Sequence, residues 1–311
     1  MIVKVENLVK RYGTLVALNH FGLQIDEGEI FGLLGPNGSG KTTAINCILA
    51  LLRYDRGSVE IFGKPMTPDA YDIKRDIGVV MQNVAVFGEL TVFENIDYFC
   101  GLYVSEKKRR RELVEEAIQF TGLENFRKFL PKKLSGGLLR RLNIACGIAH
   151  KPKLIIMDEP TVAVDPQSRN NILEGIQKLN REGATVIYTS HYMEEVEQIC
   201  SRIMIMDQGQ SLACGSKEEL KKMISTGEKI TIDWVTLDET QLSEIRCLAG
   251  VKTALLDGQT LTVQCGGGKS SMYFVLEYLK AKAIPYGSAS AQAPTLNDVF
   301  LEITGKELRD Q

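Results

Sequence analysis

The chain has 311 residues, 44% hydrophobic and 24% charged, with 37 basic against 39 acidic side chains and a net charge of -2. That balance excludes a protein held to nucleic acid by bulk charge, and the length allows two domains of about 150 residues. No apolar run approaches the roughly 18 residues that cross a bilayer, MIVKVENLVKRYG lacks a signal peptide's apolar core, and seven scattered cysteines without CxxC spacing read as small buried residues in a reducing compartment.

Residues 2–10 alternate apolar and polar as a half-buried strand does, and residues 17–25 form a second strand-like run. After a turn at Asp26-Glu27-Gly28, residues 29–34 are apolar nearly throughout, which predicts a central strand covered on both faces. That strand leads into Gly35-Pro36-Asn37-Gly38-Ser39-Gly40-Lys41-Thr42-Thr43 and a helix over 44–52. A largely helical block runs from about 91 to 150, with the 3.6-residue period over 95–104 and 105–122. Two further buried strands follow: 154–157, ending in Asp158-Glu159-Pro160, and 185–189, ending in Ser190-His191, with a helix over 165–181 between them. Residues 203–209 read as another strand and turn. This alternation predicts an α/β fold with a mostly parallel sheet and ligand chemistry at the strand C-termini.

From Ser225 the pattern changes to a strand over 229–235, a helix over 239–248, a hairpin from 253–256 and 260–264, and a helix over 270–283. The last segment, 295–308, reads as a helix capped by Thr295 with Asp298 three residues on. Residues 225–311 are therefore expected to be a small C-terminal α+β domain, with its boundary near 224–228.

Gly35, Gly40, Lys41 and Thr42 fit the GxxxxGK[ST] pattern, with a strand before and a helix after. Glycines let successive N–H groups turn toward one point, and the helix adds its positive end, so a triphosphate is cradled without clashes. Lys41 is expected to bridge the β and γ phosphates, and the Thr42 hydroxyl to bind Mg²⁺. Asp158 and Glu159 then supply one acid to hold the metal and another to orient or deprotonate water, the alternative being exposed loop acids.

Leu134-Ser135-Gly136-Gly137 are residues that most P-loop proteins lack. With the phosphate loop, the Asp158-Glu159-Pro160 strand end, Gln82 after Ile77-Gly78-Val79-Val80-Met81, and His191, their order over residues 1 to about 220 resembles the ATP-binding subunits of ABC transporters. The resemblance implies a P-loop NTPase domain over 1–224 with a helical subdomain at about 84–150, binding ATP and Mg²⁺. It places Tyr12 on the adenine ring, Gln82 at the metal or attacking water, Asp158 on the metal, Glu159 as the catalytic carboxylate and His191 at the γ-phosphate. Asp165 matches the loop running along the interface between two subunits, and equally suits the N-terminal acid of the helix it precedes. Ser135, Gly136 and Gly137 open a helix as an anion site, which in the family serves the phosphate of the opposite subunit. A second ATP-binding subunit, packed head to tail, is thereby implied.

Leu138 stands where the commonest family signature has glutamine, and it cannot donate the amide hydrogen bonds that glutamine offers. Residues 139–145 and the tail 295–310 resemble the exporter branch of the family. The implied partner is a separate transmembrane permease, met through a groove between the Gln82 loop and residues 84–104, with no nucleic acid and a cytoplasmic position on the inner face of the membrane. The rival class is a soluble ABC-type switch acting on nucleic acid or ribosomes; such proteins usually carry two ATP-binding domains or long coiled-coil insertions, and this chain has neither. A small-molecule phosphotransferase would need an acceptor site instead of the signature serine, and no NKxD sequence supports GTP. The basic run at 107–111 reads as a solvated helix face balanced by Glu106, Glu112, Glu115 and Glu116. Gly266-Gly267-Gly268-Lys269 lacks phosphate-loop spacing and reads as a turn.

Overall fold

The computed structural model describes residues 1–162, 164–266 and 271–305. The chain divides into a first unit, Met1–Cys214, and a second that begins at Gly215. The first opens with β1 (Val3–Tyr12) and β2 (Leu15–Ile25), followed by β3 (Ile30–Leu34) and α1 (Lys41–Ile48). Then come β4 (Arg56–Ile61), β5 (Lys64–Pro65), the short α2 (Tyr71–Lys74) and β6 (Ile77–Val80). Three helices follow: α3 (Val92–Gly101), α4 (Lys107–Thr121) and α5 (Gly136–Ile148). The unit closes with β7 (Leu154–Asp158), α6 (Pro166–Arg181), β8 (Thr185–Ser190), α7 (Met193–Ile199), β9 (Arg202–Asp207) and β10 (Gln210–Gly215).

Two sheets form where the alternation suggested one. β2, β1, β4 and β5 make an antiparallel sheet in that order, and β10, β9, β3, β8, β7 and β6 make a second. In the second, β3 pairs in parallel with β8 and β9, and β7 pairs in parallel with β6 and β8. Every residue of β3, β7 and β8 is buried, as expected of strands covered on both faces. Val3, Val5 and Leu23 of one sheet, Ile45 and Ile48 of α1, and Leu33, Ile156 and Ile187 of the other share a single core. The sequence reading missed β4 and β10, whose exposed residues mask the alternation, and the short α7.

α1 starts at Lys41 and not at residue 44, because Gly40, at φ 104, ends the loop directly at the first helical residue. It stops at Ile48, where Ala50 turns to φ 52 and the Leu51 and Leu52 N–H groups both return to the Asn46 carbonyl. In the helical block, Val92 and Ile96 of α3, Val114 and Ile118 of α4, and Leu142 and Ala145 of α5 close a separate apolar cluster. Thr91 and Glu94 form a capping box that starts α3. The basic run lies on α4, where Arg109 pairs with Glu112 at 3.3 Å as expected, but Arg110 reaches Asp97 on α3 at 2.8 Å, and Glu115 and Glu116 turn to Arg127 and Lys151. His150 stacks on Tyr103 and bonds the Ile77 carbonyl, and His20 bonds Asn7, so both are structural.

The second unit contains α8 (Lys217–Met223), β11 (Thr226–Ile232), α9 (Glu239–Arg246), β12 (Val251–Asp257), β13 (Thr260–Gly266), α10 (Met272–Ala281), β14 (Ala289–Gln292) and α11 (Leu296–Thr304). Its sheet is antiparallel in the order β12, β13, β11, β14. The hairpin expected near 253–264 is present, with Asp257 opposite Thr260, and Thr295 and Asp298 make the capping box of α11. The division falls before α8, ahead of the boundary near 224–228, because α8 packs on α11. Most of the glycine stretch at 266–269, and residues 306–310 of the tail, lie outside the described residues. Five cysteines are buried as expected, and burial pushes the Cys47 and Cys100 thiols up to about 11. Cys214 is half-buried and Cys247, at the C-cap of α9, is exposed, against the expectation.

Candidate active site

Parallel pairing sends the C-terminal ends of β3, β6, β7 and β8 to one edge of the sheet, and the loops after them carry the candidate residues. After β3 the backbone is pressed closely against its neighbours. A Cβ on Gly35 would lie 2.3 Å from the Met206 carbonyl oxygen, and one on Gly40 would lie 2.7 Å from that of Ala17. Only glycine fits such approaches, and Gly38 and Gly40 also adopt positive φ.

Lys41 is buried and folds back on the loop, its Nζ donating to the Gly35 carbonyl at 2.7 Å and the Pro36 carbonyl at 3.2 Å. Burial lowers its pKa from the ordinary value, opposed by the attraction of Glu159 and Asp158. Thr42 Oγ1 donates to Asp158 Oδ2 at 2.9 Å, and Thr189 Oγ1 donates to Asp158 Oδ1 at 2.6 Å. Asp158 is fully buried, so these hydroxyls supply the polar contacts that water would otherwise give.

Glu159 is the hub. Its Oε1 lies 3.3 Å from Lys41 Nζ and 3.4 Å from His191 Nδ1, and its Oε2 accepts from Gln82 Nε2 at 3.0 Å. The backbone there is left-handed at φ 47, a conformation costing about 1–3 kcal/mol in a non-glycine residue. It is held by the Glu159 N–H, which donates to the Thr189 carbonyl and to Thr189 Oγ1.

Gln82 is itself anchored from α5. Arg140 Nη1 donates to the Met81 and Gln82 carbonyls, Asn143 Nδ2 donates to the Met81 carbonyl, and Asn143 Oδ1 accepts the Ala85 N–H. Sequence reasoning assigned neither Arg140 nor Asn143. Their signal was two buried polar side chains one turn apart on a helix, which becomes visible only once burial is known.

A cleft of about 730 Å³ opens over the phosphate loop, lined by Tyr12, Asn37, Gly38, Gly40, Lys41, Thr42, Thr43, Gln82 and Glu159 among others, with Asp158 and His191 behind this lining and not part of it. Tyr12, 48% exposed, presents its ring at the wall with Lys10 Nζ 5.0 Å from the ring centroid. Ser39 Oγ is buried without a hydrogen-bond partner, as suits a loop that surrounds an anion.

Ser135, Gly136, Gly137 and Asp165 do not line this cleft. Ser135 caps α5, its Oγ accepting the Leu138 N–H at 3.3 Å, and both Ser135 and Gly136 are exposed. Asp165 caps α6 by accepting the Ser168 N–H at 2.9 Å, which holds its carboxyl below the usual range. The two helix starts abut: a Cβ on Gly137 would lie 2.7 Å from Ser168 Oγ and 3.2 Å from Asp165 Oδ2. Ala163, within the Asp165 loop, lies outside the described residues.

Residues 18–162 match the ABC transporter family model. The chain is 37% identical to the linearmycin resistance ATP-binding protein LnrL of Bacillus subtilis (strain 168), over 99% of this chain and 100% of that one. The chain belongs to the ABC transporter ATP-binding subunits. It is also 34% identical to the Nod factor export ATP-binding protein I of Cupriavidus pinatubonensis (strain JMP 134 / LMG 1197), over 99% of this chain and 92% of the relative. The dimeric ATP-binding cassette MJ0796 bound to ADP and Pi superposes with a TM-score of 0.64 at 29% identity, over 69% of this chain and 98% of that one. As a member of the family the chain binds ATP. Leu138, at the position of this family's usual glutamine, turns toward the apolar cluster of the helical block.

Proposed function

We propose that this chain is the ATP-hydrolysing motor of an exporter, working as a pair of such subunits on a separate transmembrane permease. The observation that carries this reading is the convergence of Lys41, His191 and Gln82 on the single carboxylate of Glu159 at the mouth of the phosphate loop. Phosphate oxygens replace the Gly35 and Pro36 carbonyls as acceptors for Lys41, and the loop N–H groups take the remaining phosphate charge. Tyr12 stacks on the adenine. Released from Lys41, Glu159 accepts a proton from the attacking water, while His191 and Gln82 orient that water and the terminal phosphate.

Thr42 and Asp158, already in contact, and the Gln82 amide oxygen form an all-oxygen donor set that fits Mg²⁺. When bound, the ion neutralises charge building on the β and γ phosphate oxygens.

The exposed start of α5 at Ser135 and Gly136 supports a dimer, since an anion-binding helix terminus absent from the chain's own cleft suits the γ-phosphate held by a second subunit. Docking on a permease is supported by an aromatic patch beside the Gln82 loop, where Phe87, Tyr98 and Leu102 stay 42%, 47% and 63% exposed. Asn95 fixes that patch, accepting the Phe87 N–H and donating to the Phe87, Leu90 and Thr91 carbonyls. Among the described residues no helix is long and apolar enough to cross a membrane, so membrane attachment rests on the partner. The relatives named for linearmycin resistance and Nod factor export support export.

The test is Glu159→Gln. The variant retains ATP and becomes dimeric by light scattering, with turnover reduced roughly 100-fold or more. Turnover equal to that of the unmodified chain would remove Glu159 from its role.

A further inference from the structure

Four residues beyond His191 stands a buried carboxylate that the site chemistry leaves unused. Glu195, in the first turn of α7, is 2% exposed. Its Oε2 accepts three hydrogen bonds: from Tyr188 Oη at 2.7 Å, Thr161 Oγ1 at 2.8 Å and Ser190 Oγ at 3.0 Å. Its Oε1 lies 3.1 Å from Arg169 Nε. A carboxylate this buried persists only when paired and hydrogen-bonded, and here three hydroxyl donors and one guanidinium ion pair meet it.

The origin of the donors gives the cluster its meaning. Thr161 follows Glu159 by two residues on the loop after β7. Ser190 is the last residue of β8, directly before His191, and Arg169 stands in the first turns of α6, just after Asp165. One charge thus ties together three segments that carry three candidate site residues.

The tie continues on the far side of His191. Ser190 Oγ also accepts the Tyr192 N–H at 2.9 Å, the Tyr192 ring packs 4.1 Å from the His191 ring, and the Arg169 guanidinium lies 4.7 Å over Tyr192. Burial and the neighbouring Glu195 charge hold the Tyr188 phenol well above its ordinary pKa, so it remains a donor.

We propose that Glu195 is a positioning residue for hydrolysis: its charge sets the loop after β7 against the end of β8, keeping His191 in register with Glu159, and Arg169 makes that register depend on α6. Neither Glu195 nor any of its four partners lines the nucleotide cleft, so the effect falls on turnover and not on ATP affinity. The inference rests on the ATPase reading above.

The experiment compares the full chain with Glu195→Gln, Tyr188→Phe, Arg169→Met and Arg169→Lys, measuring bound ATP per chain, kcat and KM. Glu195→Gln keeps shape but removes the charge; kcat per bound site falls roughly 10- to 100-fold while KM stays within about threefold. Arg169→Met lowers kcat less, and Arg169→Lys recovers part of that loss, because the ammonium restores the charge but not the stacking on Tyr192. Tyr188→Phe, which removes one donor, has the smallest effect.

A merely structural role would lower bound ATP per chain in proportion to turnover, and that result overturns the proposal, as does unchanged kcat. If Glu195→Gln does not fold, Tyr188→Phe and the Arg169 pair decide by the same split. An unmodified chain without turnover overturns the ATPase reading and this inference with it, whereas turnover that the variants leave intact overturns the inference alone.

Discussion

The parallel-stranded sheet of the first unit and the antiparallel sheet of the second solve the same packing problem differently. In the first unit, β7 and β8 are buried along their whole length, whereas β13 in the second alternates buried and half-buried residues, with Leu261, Val263 and Cys265 facing the core and Thr260, Thr262 and Gln264 turned away. Parallel strands deliver all their C-terminal ends to one edge, so β3, β6, β7 and β8 gather chemistry in one place. Antiparallel neighbours send successive ends to opposite edges, and among the described residues of the second unit no comparable set of polar groups gathers at one edge.

The largest expected effect tests whether the units are energetically separate. Ile156→Ala on β7 and Leu261→Ala on β13 each truncate a fully buried side chain, costing about 3 kcal/mol. Thermal unfolding with and without ATP should show Ile156→Ala weakening nucleotide retention, while Leu261→Ala destabilises its own unit and leaves ATP affinity within about twofold. Equal loss of ATP binding in both would break the comparison.

A smaller effect concerns the helical block. Asn95→Ala removes a fully buried amide that serves four backbone bonds, for about 2 kcal/mol seen in the denaturant midpoint. Faster proteolysis near residues 87–91 with unchanged ATP affinity would sharpen the separation between the exposed patch around Phe87 and the nucleotide cleft.

The smallest is a pH dependence. Burial lowers the His150 pKa below its ordinary 6.5, against the weaker pull of the Ile77 carbonyl and Asp76. The folded form therefore resists a proton that the unfolded chain accepts; the contribution is complete above about pH 6.5 and is lost as pH falls toward the lowered value. His150→Gln should flatten this acid-side loss between pH 7.5 and 5.5, and an unchanged slope would assign it elsewhere.

The legibility of the site follows the same division. Residues 35–43, Asp158, Glu159 and His191 could be read because each sits at the end of an apolar run whose pattern is local. In the second unit the hairpin and the capped last helix were legible for the same reason, whereas β14 was not, since four small or polar residues become a strand only by pairing with β11. Arg140, Asn143 and Glu195 were invisible because their partners lie elsewhere in the chain: 58 residues separate Arg140 from Gln82, and 34 separate Glu195 from Thr161.

The sequence by itself determined the phosphate loop between a buried strand and a helix, the acidic strand end, and the change of pattern after the nucleotide-binding part, because strand period, glycine freedom and capping act within a few residues. Only the tertiary structure decided that one carboxylate, Glu159, meets Lys41, Gln82 and His191, and that buried polar side chains from α5 and α7 hold those loops in place. Burial makes such contacts obligatory, and burial is a property of the folded chain.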